Sequence, residues 1–171
     1  FNNTLQNNII SNNISGYDGG GIYINSYNNK ILNNVINGNT ATQENGGGGI
    51  AVANGSGQYN SILSNNIYDN TQGGIFLIDG GNHYQAAPNL ISASFSGNSI
   101  TVSGIAPAAA SGGGTMLIQF FLNDANNSIN EGQQYISGAD VIVSANAAFT
   151  ATFTLPTTAL TPPYYISATA T

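Results

Sequence analysis

The sequence contains no cysteine, no tryptophan and no arginine, and its single basic residue is Lys30. Without cysteine, disulfide scaffolds and thiolate metal sites are excluded. One Lys cannot displace counterions from a phosphate backbone, which excludes a nucleic-acid partner, and an anionic membrane surface finds no polybasic segment to hold. Only 5% of the 171 residues are charged, against about 25% in ordinary soluble domains. Seven Asp and Glu set the net charge at −6. No run approaches the ~18 apolar residues of a membrane-spanning helix, so no membrane insertion is expected. The opening "FNNTLQNN" is neither a signal peptide nor a start methionine, and we expect a processed or partial chain.

What the sequence does have is asparagine in register. The stretch "NNKILNNVINGN" at 28–39 holds six Asn and four aliphatics. The template N-x-[IL]-x-x-N-x-I-x-x-N fits three times without a gap. It places Asn3, Leu5, Asn8, Ile10 and Asn13 in the first copy. The second holds Asn29, Ile31, Asn34, Ile36 and Asn39, and the third Asn60, Ile62, Asn65, Ile67 and Asn70. Each copy is followed by a Gly-rich turn and a short apolar run: "GGGIYI" (19–24), "GGGIAV" (47–52) and "GGIFLI" (73–78). An aliphatic every five residues suits neither a helix, which wants i, i+3, i+4 and i+7, nor a long strand. It suits short strands separated by tight corners, where Asn tolerates left-handed backbone and bonds nearby main chain. Stacked at ~4.8 Å, successive corners would bring their amides into a hydrogen-bonded ladder. An Asn-rich disordered tract has no reason to keep Ile or Leu in fixed phase.

These residues resemble the right-handed parallel β-helix repeat family of exported proteins. The resemblance covers about residues 1–80 and implies three coils with the aliphatics inside. Residues 81–88 read as a linker, since "DGGNHYQAAP" (79–88) breaks the repeat with Gly and Pro. From 89 to 171 alternating runs such as "NLISASFS", "SITVSGIA", "TMLIQFFLN", "AFTATFTLP" and "YYISATAT" are separated by turn residues, which argues for a β-sandwich. "APNLISAS", "IQFFLN", "EGQQYISGADV" and "ISATAT" resemble the Ig-like domain that follows β-helix repeats in bacterial exported proteins. That resemblance implies one further strand after "ATAT". The expected fold class is therefore all-β: a short right-handed parallel β-helix of about three coils, then an Ig-like β-sandwich lacking its last strand.

No catalytic or cofactor-binding set emerges. A pectate-lyase-type site needs a strong base beside calcium-holding carboxylates, and Lys30 has no acid near it in sequence. A glycoside hydrolase needs two carboxylates ~5–9 Å apart; only Asp18 and Glu44, at similar turn positions one coil apart, offer that, and solvated turn carboxylates are the plainer reading. His83 has no partner nearby and reads as a residue packing at the boundary. No G-x-S-x-G elbow supports a serine triad, and "GGGG" (46–49) lacks the Lys-Ser/Thr of a phosphate loop. Calcium is the one cofactor with candidate ligands, Asp79 with Asn82 and Asn123-Asp124 with Glu131, though neither set follows the twelve-residue loop pattern. N-x-S/T sequons begin at Asn2, Asn13, Asn54 and Asn126.

Three coils make a stack only ~14 Å tall. Such ends need caps and exposed edges invite further strands. We therefore expect a partner at the first coil, either another copy of the chain or further coils of the same polypeptide, with the sandwich covering the other end. The function this implies is a non-catalytic structural or adhesive module, extracellular or at a cell surface, in a larger surface protein or a self-assembling filament. The alternative is a carbohydrate-binding or polysaccharide-degrading β-helix, with glycans as partners.

Overall fold

The computed structural model describes residues 1–44, 46–53, 57–110, 114–125, 131–157, 160 and 162–171. Eleven short strands form the first half: β1 (Thr4–Gln6), β2 (Ile9–Ser11), β3 (Ile14–Ser15), β4 (Ile22–Ile24), β5 (Lys30–Leu32), β6 (Val35–Asn37), β7 (Thr40–Ala41), β8 (Ile50–Ala53), β9 (Ser61–Leu63), β10 (Asn66–Tyr68) and β11 (Ile75–Ile78). They stack as three parallel sheets, β1-β5-β9, β2-β6-β10 and β4-β8-β11, with β3 paired to β7. The register aligns Leu5, Ile31 and Ile62, then Ile10, Ile36 and Ile67, then Ile22, Ile50 and Ile75. This is the parallel β-helix that the repeat implies, and residues 28–39 are two of its strands with their corners.

The aliphatics fill the interior. Ile36 and Ile50 are 0% exposed and Ile31 4%, whereas Leu5 and Ile10 of the first coil pack on this core only partly buried. The gradient locates the open end of the stack. Burial of these side chains, each worth roughly 1.5–3 kcal/mol, holds strands of two to four residues that would not persist alone.

The corners divide between two neighbouring residues the tasks expected of one Asn. The residue before each ladder position takes the left-handed conformation: Asn2, Asn7 and Asn12, then Asn28, Asn33 and Gly38, then Tyr59, Ser64 and Asp69, with φ between 54° and 65°. Asn and Gly suit that backbone; Tyr, Ser and Asp bear it at roughly 1–2 kcal/mol per residue. The Asn that follows keeps ordinary backbone, and its amide is free to reach the next coil.

The second half is a two-sheet antiparallel β-sandwich. Its strands are β12 (Asn89–Ser96), β13 (Ser99–Ile105), β14 (Thr115–Asn123), β15 (Gln134–Tyr135), β16 (Val141–Ser144), β17 (Ala148–Thr154) and β18 (Tyr165–Ala170). One sheet runs β12-β13-β17; in the other β14 pairs with β15, β16 and β18. The run 133–144 thus forms two short strands rather than one. Ile118, Phe120 and Leu122 face inward onto Ile100, Val102 and Phe149. The alternate residues of β14 face the β-helix: Gln119 Oε1 accepts from the Ser64 N–H at 3.0 Å, and the backbone of Gly132 forms a bridge with Ile67.

Candidate functional site

The polar centre of the molecule is the set of three Asn ladders. In each, the Oδ1 of one coil accepts both the backbone N–H and the Nδ2 of the Asn in the coil before it, at 2.9 to 3.2 Å. The columns are Asn3-Asn29-Asn60, Asn8-Asn34-Asn65 and Asn13-Asn39-Asn70. The second Nδ2 hydrogen goes back to a strand carbonyl of the preceding coil: Asn34 to Leu5, Asn39 to Ile10, Asn65 to Ile31 and Asn70 to Ile36. Every ladder therefore has a direction, with acceptors at the first coil and donors at the last.

At the donor end two of the three columns are closed. Asn82, in a short 3-10 turn (Gly81–Tyr84), accepts from the N–H of Asn60 at 2.9 Å and returns its Nδ2 to the Asn60 carbonyl. Glu131, from the sandwich half, accepts the N–H of Asn70 on one oxygen and its Nδ2 on the other, both at 3.2 Å. Beside them Asn66 Oδ1 takes the N–H of Tyr135 at 2.9 Å. The acceptor end is open. Among the described residues no donor reaches Oδ1 of Asn3, Asn8 or Asn13, and Asn8 turns its second hydrogen to Gln6 of its own coil. Phe1 stacks on Tyr27 beside that tip, with ring centroids 5.0 Å apart.

Burial pushes the Glu131 carboxyl up from its usual range; the bonds from Asn70 oppose the rise and the neighbouring Asp69 charge adds to it. The native state thus holds the proton more tightly than the unfolded chain. Its stabilising contribution is complete below the unfolded value near 4.5 and is lost as pH rises through the raised native value. Glu131→Gln removes that titration while leaving an amide oxygen able to accept both Asn70 donors, as the ladder Asn do. Thermal unfolding at pH 4 and pH 7 should show E131Q gaining on the parent protein as pH rises. An unchanged difference between the two pH values would refute the capping role. Burial also raises the Tyr135 phenol, as does its 2.8 Å bond to Asp140.

The residues singled out by sequence are scattered over this frame. Asp18 is half-buried with its carboxylate against Gly46, and Glu44 is exposed; among the described residues no hydrogen bond or ion pair engages the Glu44 side chain. His83 does not pack between the halves: it is exposed, meeting Tyr59 edge-on at 5.1 Å, because the turn carrying it has positive φ at Asn82, His83 and Tyr84 and swings the ring outward. Of the calcium candidates, Asp79 is exposed, Asp124 is buried in the sandwich half, and Asn82 and Glu131 have oxygens engaged as ladder ends. Among the described residues no three Asp, Glu or His gather as a metal site. Of the sequons, Asn2 is exposed, Asn13 commits its Nδ2 to Asn39, and Asn54 and Asn126 lie outside the described residues. Sequence reasoning missed both ladder ends. Asn82 follows Asn60 by 22 residues rather than the repeat spacing, and Glu131 is 61 residues beyond Asn70, so no local signal announces it.

Between the last coil and β18 lies a cavity of about 410 Å³, lined by Ile62, Ile67 and Leu77 from above and by Ser167, Thr169 and Thr171 from below. A family model described as right handed beta helix region matches residues 1–91, just over half of the chain. No curated protein and no solved structure matches it.

Proposed function

The chain belongs to the right-handed β-helix family, and from that premise we propose that it is a non-catalytic structural module, a rigid spacer or adhesive element of an extracellular surface protein. The supporting observation is how the coils use their buried polar groups. Asn29, Asn34, Asn39, Asn60, Asn65 and Asn70 are the polar side chains buried in the coil half among the described residues, and every one is bonded along the stack. A site for acid–base chemistry would hold some buried polar group in reserve for a substrate; here stacking takes them all. A sequence with one Lys and no Arg also gives trypsin-like proteases almost nothing to cut, which suits an extracellular surface.

The open tip joins the module to something. Its three Oδ1 acceptors match a parallel coil whose own corners donate N–H and Nδ2. Another copy of this chain offers no complete donor end, since Asn82 and Glu131 occupy two of its three columns and the sandwich lies against the last coil. Further coils of the same polypeptide fit better than a filament of stacked copies.

The second reading is carbohydrate binding, favoured by Tyr17, Tyr23, Tyr27 and Tyr59, which are 45–75% exposed on the coil half and offer apolar faces with polar rims. A glycan array combined with a reducing-sugar release assay separates the readings. The structural reading expects no sugar release from any polysaccharide; release that D18N or E44Q abolishes overturns it, and glycan capture without release supports the second reading.

A further inference from the structure

One edge of the sandwich, β17, is regular and unpaired. In antiparallel pairs, residues exchange both backbone bonds with the facing strand at every second position. Ala106 donates to the Ala147 carbonyl at 2.9 Å and Leu155 to the Asn98 carbonyl at 2.8 Å. The unbroken register between them makes Phe149, Ala151 and Phe153 the residues that bond to β13. Ala148, Thr150, Thr152 and Thr154 turn their N–H and C=O the other way, and among the described residues nothing bonds to those groups. Other edges carry features that discourage pairing. β12 follows Pro88 and has a bulge between Leu90 and Ser92, and β15 and β16 are two and four residues long. β17 runs seven residues without proline, bulge or charge, and residues 141–171 contain no charged side chain. Thr171 bonds to Leu117 in the other sheet, and β18 lies against β12, whereas β17 lies against β16 on the opposite flank. The free edge of β17 is therefore not made by the position of the last residue.

We propose that this edge pairs with β17 of a second copy of the chain, about a two-fold axis at Ala151. The run "FTATF" (149–153) reads the same in both directions. Antiparallel pairing centred on Ala151 therefore sets Thr150 opposite the partner's Thr152 and Phe149 opposite the partner's Phe153. The parity is the one required: Thr150 and Thr152 both present free backbone groups, so they form a doubly bonded pair, and Ala148 with the partner's Thr154 forms the next. A slip of one residue would set each free residue opposite one already bonded to β13. On the outer face Thr150 meets the partner's Thr152 hydroxyl to hydroxyl, as Thr101 meets Thr152 at 3.0 Å within the chain; cross-strand pairs of this kind are favourable. On the inner face the partner's Phe149 comes beside Phe153, which is only partly buried and packs on Phe120 at 5.3 Å. The two three-stranded sheets become one continuous sheet. Such a contact uses the same patch on both copies, so it closes at the dimer.

Sedimentation equilibrium of the full chain should show monomer and dimer and no larger species, and hydrogen exchange at the Thr150 and Thr152 amides should slow as concentration rises. The double variant T150K/T152K changes two exposed positions and sets like charges directly opposite each other across the axis. It is expected to weaken dimerisation roughly tenfold. Mixed with T150E/T152E it should form a heterodimer, since each Lys then faces a Glu, and this reads the register itself. Should the lysine variant fail to fold, Thr152→Pro removes an outward N–H without touching the β13 ladder and is expected to weaken the dimer likewise. A monomer at every concentration up to millimolar, growth beyond the dimer, undiminished dimerisation in the folded variants, or failure of the two charged variants to pair overturns the proposal.

Discussion

Asn39→Asp is expected to destabilise the protein by about 3–5 kcal/mol at pH 7, the usual cost of an uncompensated buried charge. Asn39 is 0% exposed. Its Nδ2 donates to the Ile10 carbonyl at 2.9 Å and to Asn70 Oδ1 at 3.0 Å, and the substitution replaces that amine with an oxygen facing both acceptors. Lone pairs then oppose lone pairs in a site water cannot reach. For a chain of this length each kcal/mol lowers the melting temperature by roughly 2–4 °C, so the loss is large and read directly by circular dichroism. The sign of its pH dependence follows from burial. The introduced carboxyl would titrate higher in the native state than in the unfolded one, so acid relieves the penalty: a protonated carboxyl supplies one O–H to one of the two acceptors. The deficit should shrink between pH 7 and pH 3.5. Asn7→Asp is the control, because Asn7 is exposed and at a left-handed corner where Asp is tolerated; its effect should stay within about 0.5 kcal/mol. Equal effects at the two positions would mean that the ladder contributes nothing beyond composition.

Gly48→Ala is the second large effect, and it tests stacking rather than polarity. Gly48 is buried in the turn before β8, and a Cβ there would collide with the Thr71 carbonyl oxygen and lie 2.8 Å from Asn39 O. Both are main-chain atoms of the wall itself: Gly48 donates to Thr71 at 2.7 Å and Thr71 to Asn39 at 2.9 Å. No side-chain rotation makes room, so coils two and three must separate. Overpacking alone typically costs 1–3 kcal/mol, and with these bonds disturbed we expect about 3 kcal/mol or more. Urea denaturation should show a lower midpoint. Gly16→Ala, with nothing within 4 Å of its Cβ, should be neutral or slightly stabilising by reducing the freedom of the unfolded chain. A G48A midpoint equal to that of G16A would disprove the close approach of the coils.

These two substitutions differ in how far the sequence foretells them. Asn39 is marked by its own repeat: one aliphatic per five residues and amides at equal spacing leave a stacked coil as the arrangement that satisfies both. The cost at Gly48 is half-visible, as a Gly-rich turn whose necessity appears only when Thr71 lies against it. The separation of the left-handed corner from the ladder position was hidden because in most corners Asn holds both places. It shows where Tyr59, Ser64 and Asp69 take the strained one.

The sequence by itself determined the coil: its handholds are local in pattern, since each turn repeats the last at 26 or 31 residues and equal side chains must then meet. It also determined that the second half is a separate run of alternating strands. Only the tertiary structure decided how the coil ends. Glu131 closes the Asn70 column from the sandwich half, and Asn82 closes the Asn60 column from outside the repeat. A cap is a single event between distant segments, satisfied by any group with the right oxygen in the right place, so it leaves no periodicity for a sequence to display.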